Sequence, residues 1–373
     1  MSHLKVALVG ECMVELQATS VPNQYTQTFG GDTFNTAVYL RRVLTPAQAE
    51  ISYITAVGTD PLSQQMLARF NECNLDTSLV TQNPNKFPGL YAINLDDKGE
   101  RSFSYWRSDA AARYRFVGMS LEQLVALWQQ FDIVYFSGIS LAILPSETRD
   151  TFVQSLAQAS KQVKVVFDLN YRPRLWESKE LAKAYFEQIA QFAQVLFCSN
   201  DEDALLYDKE IVPAAQPYCL SAFQASEPSL LEQAIAVVSQ ARAQQADVIT
   251  ALQALEQQTH RHLVFKQRDT VQFYPTGIDY AQLLDKGVVT SYEYQALVVN
   301  KPQQVMTYSF TPLEKVVDTT AAGDSFAAGI IGAFLVLGTS AQQAAKLAQQ
   351  VAQQVICHKG AIIPAEYTHP FAS

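Results

Sequence analysis

Short runs of β-branched and aromatic apolar residues recur along most of this chain, and stretches with helical spacing separate them. Strands are expected at Val6–Val9, Ile51–Ala56, Ile133–Phe136, Val163–Phe167, Val195–Phe197 and Leu263–Phe265. Helical spacing appears in Thr33–Val43, Ser63–Asn71, Leu121–Gln130 and Thr148–Ser160. Strands without polar alternation are buried on both faces, and the intervening helices supply the crossovers that parallel neighbours need. The pattern predicts an α/β chain, a mostly parallel sheet covered by helices on both sides, in one domain spanning residues 1–373. Ligands bind beyond the carboxyl ends of such strands, so motifs that follow strands carry the most information.

Two places break the alternation. Glu11–Gln17 followed by Tyr25–Phe29, and Gly89–Leu95 followed by Arg101–Arg107, read as extended pairs. The second pair is joined by Asp96-Asp97-Lys98-Gly99-Glu100, residues suited to a short antiparallel turn. These lid strands, within about 11–30 and 88–108, predict a small sheet projecting from the domain. Such a sheet exposes one apolar face, so a homo-oligomer formed through the lid is expected. From about 208 to 260 the chain is rich in Gln and Ala and reads as a helical insertion. Leu230, Leu231, Ala234, Ile235, Val237 and Val238 form its apolar stripe, and it carries no recognisable chemistry.

A net charge of −9 leaves no basic face for nucleic acid or anionic lipid, so neither is an expected partner. Cys12, Cys73, Cys198, Cys219 and Cys357 stand apart without C-x-x-C spacing, which argues against a zinc site or a disulfide framework. The apolar run Lys5–Val9 is too short for a signal-peptide core, and no stretch is long enough to span a bilayer. A cytoplasmic chain is expected.

The richest segment is Val317-Asp318-Thr319-Thr320-Ala321-Ala322-Gly323-Asp324-Ser325-Phe326. Its small residues open a helix expected to run to about Leu337, and a helix N-terminus that permits close backbone approach favours phosphate. A carboxylate in that turn would repel an anion. Asp324 makes sense there as a base that takes the proton of a hydroxyl attacking phosphorus. The string A-A-G-D alone reads more readily as the start of an ordinary capped helix, with Asp324 stabilising its dipole, so its surroundings decide.

Those surroundings carry a resemblance. D-T-T-A-A-G-D-S-F resembles the C-terminal signature of the ribokinase-like (PfkB) carbohydrate kinases, with Ala321 where the first glycine usually stands. Gly30-Gly31-Asp32-Thr33-Phe34-Asn35 resembles the family's sugar-binding G-G-x-x-x-N segment. Glycines there bring backbone close to a sugar, and Gly31, Asp32 and Asn35 are expected against its hydroxyls; a tight turn with Asp32 capping the next helix is the other reading. Ala56-Val57-Gly58-Thr59-Asp60, Phe136-Ser137-Gly138 and Lys359-Gly360-Ala361 extend the likeness over nearly the whole chain. The resemblance implies a three-layer α/β/α sandwich with a small β-sheet lid, and ATP and Mg2+ as cofactors. It also implies phosphate held by the backbone of Ala321, Ala322 and Gly323.

Four stretches are similar to the branch that phosphorylates 2-dehydro-3-deoxygluconate: Gly10–Leu16, Phe103–Arg107, Gly138–Leu144 and Asp168–Trp176. That substrate is an acid, and guanidinium groups recognise carboxylates well. Arg107 and Arg172 are therefore expected over one pocket, with Tyr91 and Tyr105 supplying hydroxyl donors and an apolar wall. Arg107 as a surface residue, Arg172 paired with Asp168, and tyrosines that only pack the lid are the structural alternatives. A fructokinase is the nearest alternative function. Ser199-Asn200-Asp201-Glu202-Asp203 resembles the family's N-x-x-E motif. Asp203 is expected near magnesium, with helix capping as the alternative. Asn170, and Lys266 at the end of the Leu263–Phe265 strand, are expected against the nucleotide, although Gln267-Arg268-Asp269 replaces the glycines usual there.

Overall fold

The structure, a computed structural model, describes residues 3–371 apart from 20, 22, 96–100, 212–215, 225–226, 268–269, 299–304, 312 and 314. Met1–Lys164, Arg172–Glu177 and Phe310–Ser373 form one compact unit, and Val165–Tyr171 with Ser178–Ser309 form a second. Among the described residues no helix is long and apolar enough to cross a membrane.

The strands of the first unit are β1 (Leu4–Val9), β2 (Met13–Ala18), β3 (Tyr25–Gly30), β4 (Ala49–Ile54), β5 (Ala56–Val57), β6 (Thr81–Gln82), β7 (Gly89–Leu95), β8 (Arg101–Trp106) and β9 (Ile133–Ser137). β1 lies between β4 and β9, parallel to both, with Val6 level with Ile51 and Ile133. Val6 to Val9 are all buried, which is why that run shows no alternation. The helix Asp32–Val43 covers this sheet through Phe34, whose ring lies 5.7 Å from Tyr53 and 5.1 Å from Phe70. Such tilted aromatic contacts add stabilisation beyond buried area.

After β1 the chain leaves for the lid. β2 pairs antiparallel with β3 and parallel with β7, and β7 pairs antiparallel with β8. The lid order is therefore β3-β2-β7-β8; the sequence predicted the two extended pairs in one small sheet, and the structure adds their order and the parallel β2–β7 pairing. Thr28, Glu15, Tyr91 and Tyr105 stand level across its four strands. The turn expected at Asp96–Glu100 lies outside the described residues. At the other end of the chain, the helix Ala322–Ile330 continues as a π-helical stretch, Ile331–Val336, and then Ala341–Ile356 packs against it. A Cβ on Gly329 would lie 2.4 Å from the Cα of Ala348, so only glycine permits that approach.

In the second unit β10 (Lys164–Asp168), β11 (Val195–Ser199) and β12 (Arg261–Gln267) run parallel, followed by antiparallel β13 (Thr270–Thr276) and β14 (Met306–Ser309). The last two strands were not expected from sequence. In β13 the buried Val271 and Phe273 alternate with Thr270 and Gln272, and β14 is four residues with exposed Thr307 and Ser309. Neither forms a continuous apolar run. The helices Glu227–Ala243 and Val248–Thr259 share a core in which Ala234, Val238 and Leu252 meet Ile278, Tyr280 and Leu283.

One buried histidine makes this unit sensitive to acid. Burial pushes the His262 imidazole down to about 3 from 6.5, and neighbouring His260 adds to the effect. The unfolded chain takes that proton near pH 6.5, whereas the folded chain refuses it until about pH 3, so folded stability is lost as pH falls through this window. Denaturant titrations at descending pH are expected to show a loss of up to about 1.4 kcal/mol per pH unit from this group. His262→Phe should remove that part of the slope, and an unchanged slope would clear His262 of the effect.

Candidate active site

Asp318 builds the turn that opens the helix Ala322–Ile330. Its buried carboxylate accepts from the N–H and hydroxyl of Thr320 at 2.9 and 2.7 Å, and from the N–H of Gly360 at 2.8 Å. These bonds tie the turn to the closing Lys359-Gly360-Ala361 segment. Ala321 then takes φ 61°, ψ 14°, a left-handed conformation that costs a residue with a Cβ about 1–2 kcal/mol. The Ala322 N–H, one of three expected to face phosphate, donates to the Thr319 carbonyl at 3.2 Å. Gly323 is exposed, and a Cβ there would meet nothing within 4 Å. Among the described residues no side chain caps this helix.

Asp324 is half-buried in the first turn of that helix, and its Oδ2 accepts from Asn35 Nδ2 at 2.8 Å. The two family signatures thus meet through the expected residues. Asn35 Oδ1 is buried and has no hydrogen-bond partner among the described residues. Asp32 is no helix cap: the helix starts from Gly31, and Asp32 instead accepts the hydroxyl proton of Ser137 at 2.5 Å. The glycines also have a reason internal to the protein. A Cβ on Gly31 would stand 2.2 Å from the Glu11 carbonyl oxygen, and one on Gly30 would stand 2.6 Å from the Tyr91 hydroxyl.

Arg107, directly after β8, is not a surface residue; its side chain is only 10% exposed. Its Nη2 donates to the buried Glu11 carboxylate, while Arg107 Nε and Glu11 Oε1 are buried without a partner among the described residues. Burial raises the Glu11 pKa, and the Arg107 charge and hydrogen bond oppose that shift. Tyr91 is buried and donates its hydroxyl to Glu15; burial and that neighbouring charge raise its pKa. Tyr105 stacks on Tyr91 at 5.8 Å but remains half exposed. Arg172 is exposed at the start of the 3-10 turn Pro173–Leu175. The buried Arg149 anchors the end of that segment: it binds Glu177, donates to the carbonyls of Leu141, Ala142 and Leu144, and lies 4.9 Å from the Trp176 ring.

The remaining candidates belong to the second unit. Asn170 is buried at φ 32°, and its N–H donates to Asp168 Oδ1 at 3.1 Å. Lys266 is half-buried on β12, level with Ser199 on β11. Asp203 is buried and accepts from the N–H groups of Tyr218 and Cys219 at 2.5 and 2.9 Å; burial raises its pKa against those bonds. Glu202 closes a capping box with Ser199. Arg268 and Asp269 lie outside the described residues. Sequence reasoning missed Glu11, Asp318 and Arg149. Glu11 had a visible signal as an acid between an apolar strand and a lid strand, and Asp318 as the first residue of the D-T-T-A-A-G-D segment; Arg149 had none.

Comparison with known proteins places this geometry. The pfkB family carbohydrate kinase profile matches residues 3–270 and 279–367. The chain is 36% identical over 366 residues to the 2-dehydro-3-deoxygluconokinase of Escherichia coli K12, covering 97% of this chain and 98% of that one. It is 35% identical over 367 residues to the enzyme of the same name from Dickeya dadantii, covering 98% and 99%. The crystal structure of fructokinase with bound ATP from Xylella fastidiosa matches with a TM-score of 0.64 at 19% identity, over 98% of this chain and 95% of that one. The chain belongs to the pfkB family of carbohydrate kinases, and its α/β fold with a small lid sheet is the one the resemblance implied.

The left-handed Ala321 gives a direct test of the turn. Ala321→Gly relieves its steric cost but adds freedom to the unfolded chain, so a net gain of up to about 1 kcal/mol is expected in the denaturant midpoint. A loss of stability would show that the methyl group packs usefully.

Proposed function

We propose that this kinase transfers the γ-phosphoryl group of ATP to the 6-hydroxyl of 2-dehydro-3-deoxygluconate, giving 2-dehydro-3-deoxy-6-phosphogluconate. The observation that carries this reading is the buried Arg107 guanidinium at the lid, in the same unit as the Asn35–Asp324 pair. Glu11 engages Arg107 only at Nη2, and the Nε left without a partner among the described residues is a donor that a carboxylate, not a neutral sugar, would fill best. The full-length relatives, named for this substrate, support the same choice.

In this reading Arg107 and Arg172 receive the sugar's carboxylate, with Tyr91 and Tyr105 beside it and Gly31, Asp32 and Asn35 against the hydroxyls. Asn35 orients Asp324, which accepts the hydroxyl proton as that oxygen attacks phosphorus. The uncapped helix start at Ala321, Ala322 and Gly323 stabilises charge on the transferring group through its dipole and the N–H groups of Ala321 and Gly323, that of Ala322 being engaged by Thr319. Asn170 and Lys266 hold the nucleotide. Magnesium would neutralise phosphate charge; Asp203 is buried with both oxygens already accepting N–H groups, which leaves such an ion only a water-mediated approach to it. Closure of the lid excludes water from the transfer. Exposed Phe103, Tyr105 and Trp106 support pairing of two copies through the lid.

Asp324→Asn is expected to lower kcat by about 10²–10⁴-fold with little change in acid-sugar affinity. Retained turnover would remove Asp324 from the role of base. Comparing 2-dehydro-3-deoxygluconate with fructose and ribose tests the substrate: a preference for fructose would favour the fructokinase alternative.

A further inference from the structure

Arg107 already has a carboxylate. Glu11 sits where β1 hands the chain to β2, is 1% exposed at its side chain, and accepts the Nη2 hydrogen bond. Its second oxygen, Oε1, is buried without a partner among the described residues, as is Arg107 Nε. A buried ion pair stabilises little unless its remaining donors and acceptors are satisfied, so this one is poorly explained as a structural strut. Arg149 provides the contrast, with three carbonyls and Glu177 filling its fork.

A second carboxylate on the same guanidinium would leave net negative charge in a buried place. Two carboxylates sharing one site do not both stay ionised. The surroundings favour neutralising Glu11. Asp32, from the helix Asp32–Val43, faces it with negative charge, and Cys12 beside it and Tyr53 from β4 offer no cation. Among the described residues Arg113, from the 3-10 turn Ala111–Tyr114, is a further positive group acting on it, more weakly than Arg107.

We infer that Glu11 is a proton-coupled gate for the acid sugar: as the sugar's carboxylate takes its place on Arg107, Glu11 takes one proton from solvent and becomes a neutral acid. The balance is Glu11 carboxylate plus one proton giving the carboxylic acid, with no other bond made or broken. The new O–H gives the unpartnered oxygen a donor to aim at the incoming carboxylate. Glu11 is thereby a positioning residue that acts through Arg107, and the inference rests on the reading that Arg107 receives the sugar's acid group.

The decisive measurement is calorimetry of 2-dehydro-3-deoxygluconate binding in buffers of different ionisation enthalpy. The wild type is expected to take up about one proton per sugar on the alkaline side of neutrality, and Glu11→Gln none. In steady state, KM for the acid sugar should rise up to about tenfold per pH unit there, while the KM of Glu11→Gln stays flat and at high pH falls below the wild-type value. A merely structural Glu11 would instead give a Gln variant weakened equally at every pH, and that result would overturn the inference. So would binding and turnover without proton uptake in the wild type, or equal uptake in the variant. If Glu11→Gln does not fold, wild-type calorimetry still decides. Failure to bind the acid sugar at all would overturn the substrate reading and this inference together.

Discussion

A single hydrogen bond, from Asn35 to Asp324, joins residues 289 positions apart and ties the two signature segments of the first unit together. It can form only because two helix starts from opposite ends of the chain come together. The first is brought in by Gly31, which lets backbone pass against the Glu11 carbonyl. The second is fixed by Asp318, which holds the preceding turn, and by the close Gly329–Ala348 approach that docks the helix further along. A base misplaced by an ångström loses much of its effect, so the contacts that place Asp324 bear on its proposed role as much as on the fold.

Much of this was legible in the sequence, for physical reasons that also explain the rest. Strands buried on both faces announce themselves as apolar runs, so β1, β9, β10 and β11 were visible, while β13 and β14 were not. Local motifs gave Asp324, Asn35 and Arg107 as residues of interest. Partners were not legible, because pairing is a property of folded distance: nothing in the sequence says that Glu11 meets Arg107, or that Tyr91 spends its hydroxyl on Glu15. The glycines show the same limit. Their presence suggested close approach to a ligand, yet Gly30 and Gly31 are also required by neighbouring protein atoms.

The buried polar groups fall into two kinds. Arg149 and Asp318 are engaged by several partners and hold segments together. Asn35 Oδ1, Glu11 Oε1 and Arg107 Nε are left without partners among the described residues, all in the first unit and all on residues read from the site motifs or touching them. Each such atom costs roughly 1–3 kcal/mol of desolvation. Thr55 Oγ1, Arg115 Nε, Thr276 Oγ1 and Gln349 Oε1 are buried in the same way elsewhere, so it is the position of Asn35, Glu11 and Arg107 beside the site motifs, not their number, that marks where local rules yield to function.

The lid also carries its own optical label. Of the chain's three tryptophans, Trp128 and Trp176 are buried, the first bonded to Ser155 and the second stacked on Arg149. Trp106 is 62% exposed, on the lid strand that ends beside Arg107. Its indole should emit at longer wavelength than the other two and be the one most open to a dissolved quencher. The unmodified chain can therefore show, by fluorescence alone, whether the lid strand that ends beside Arg107 is covered or open to water.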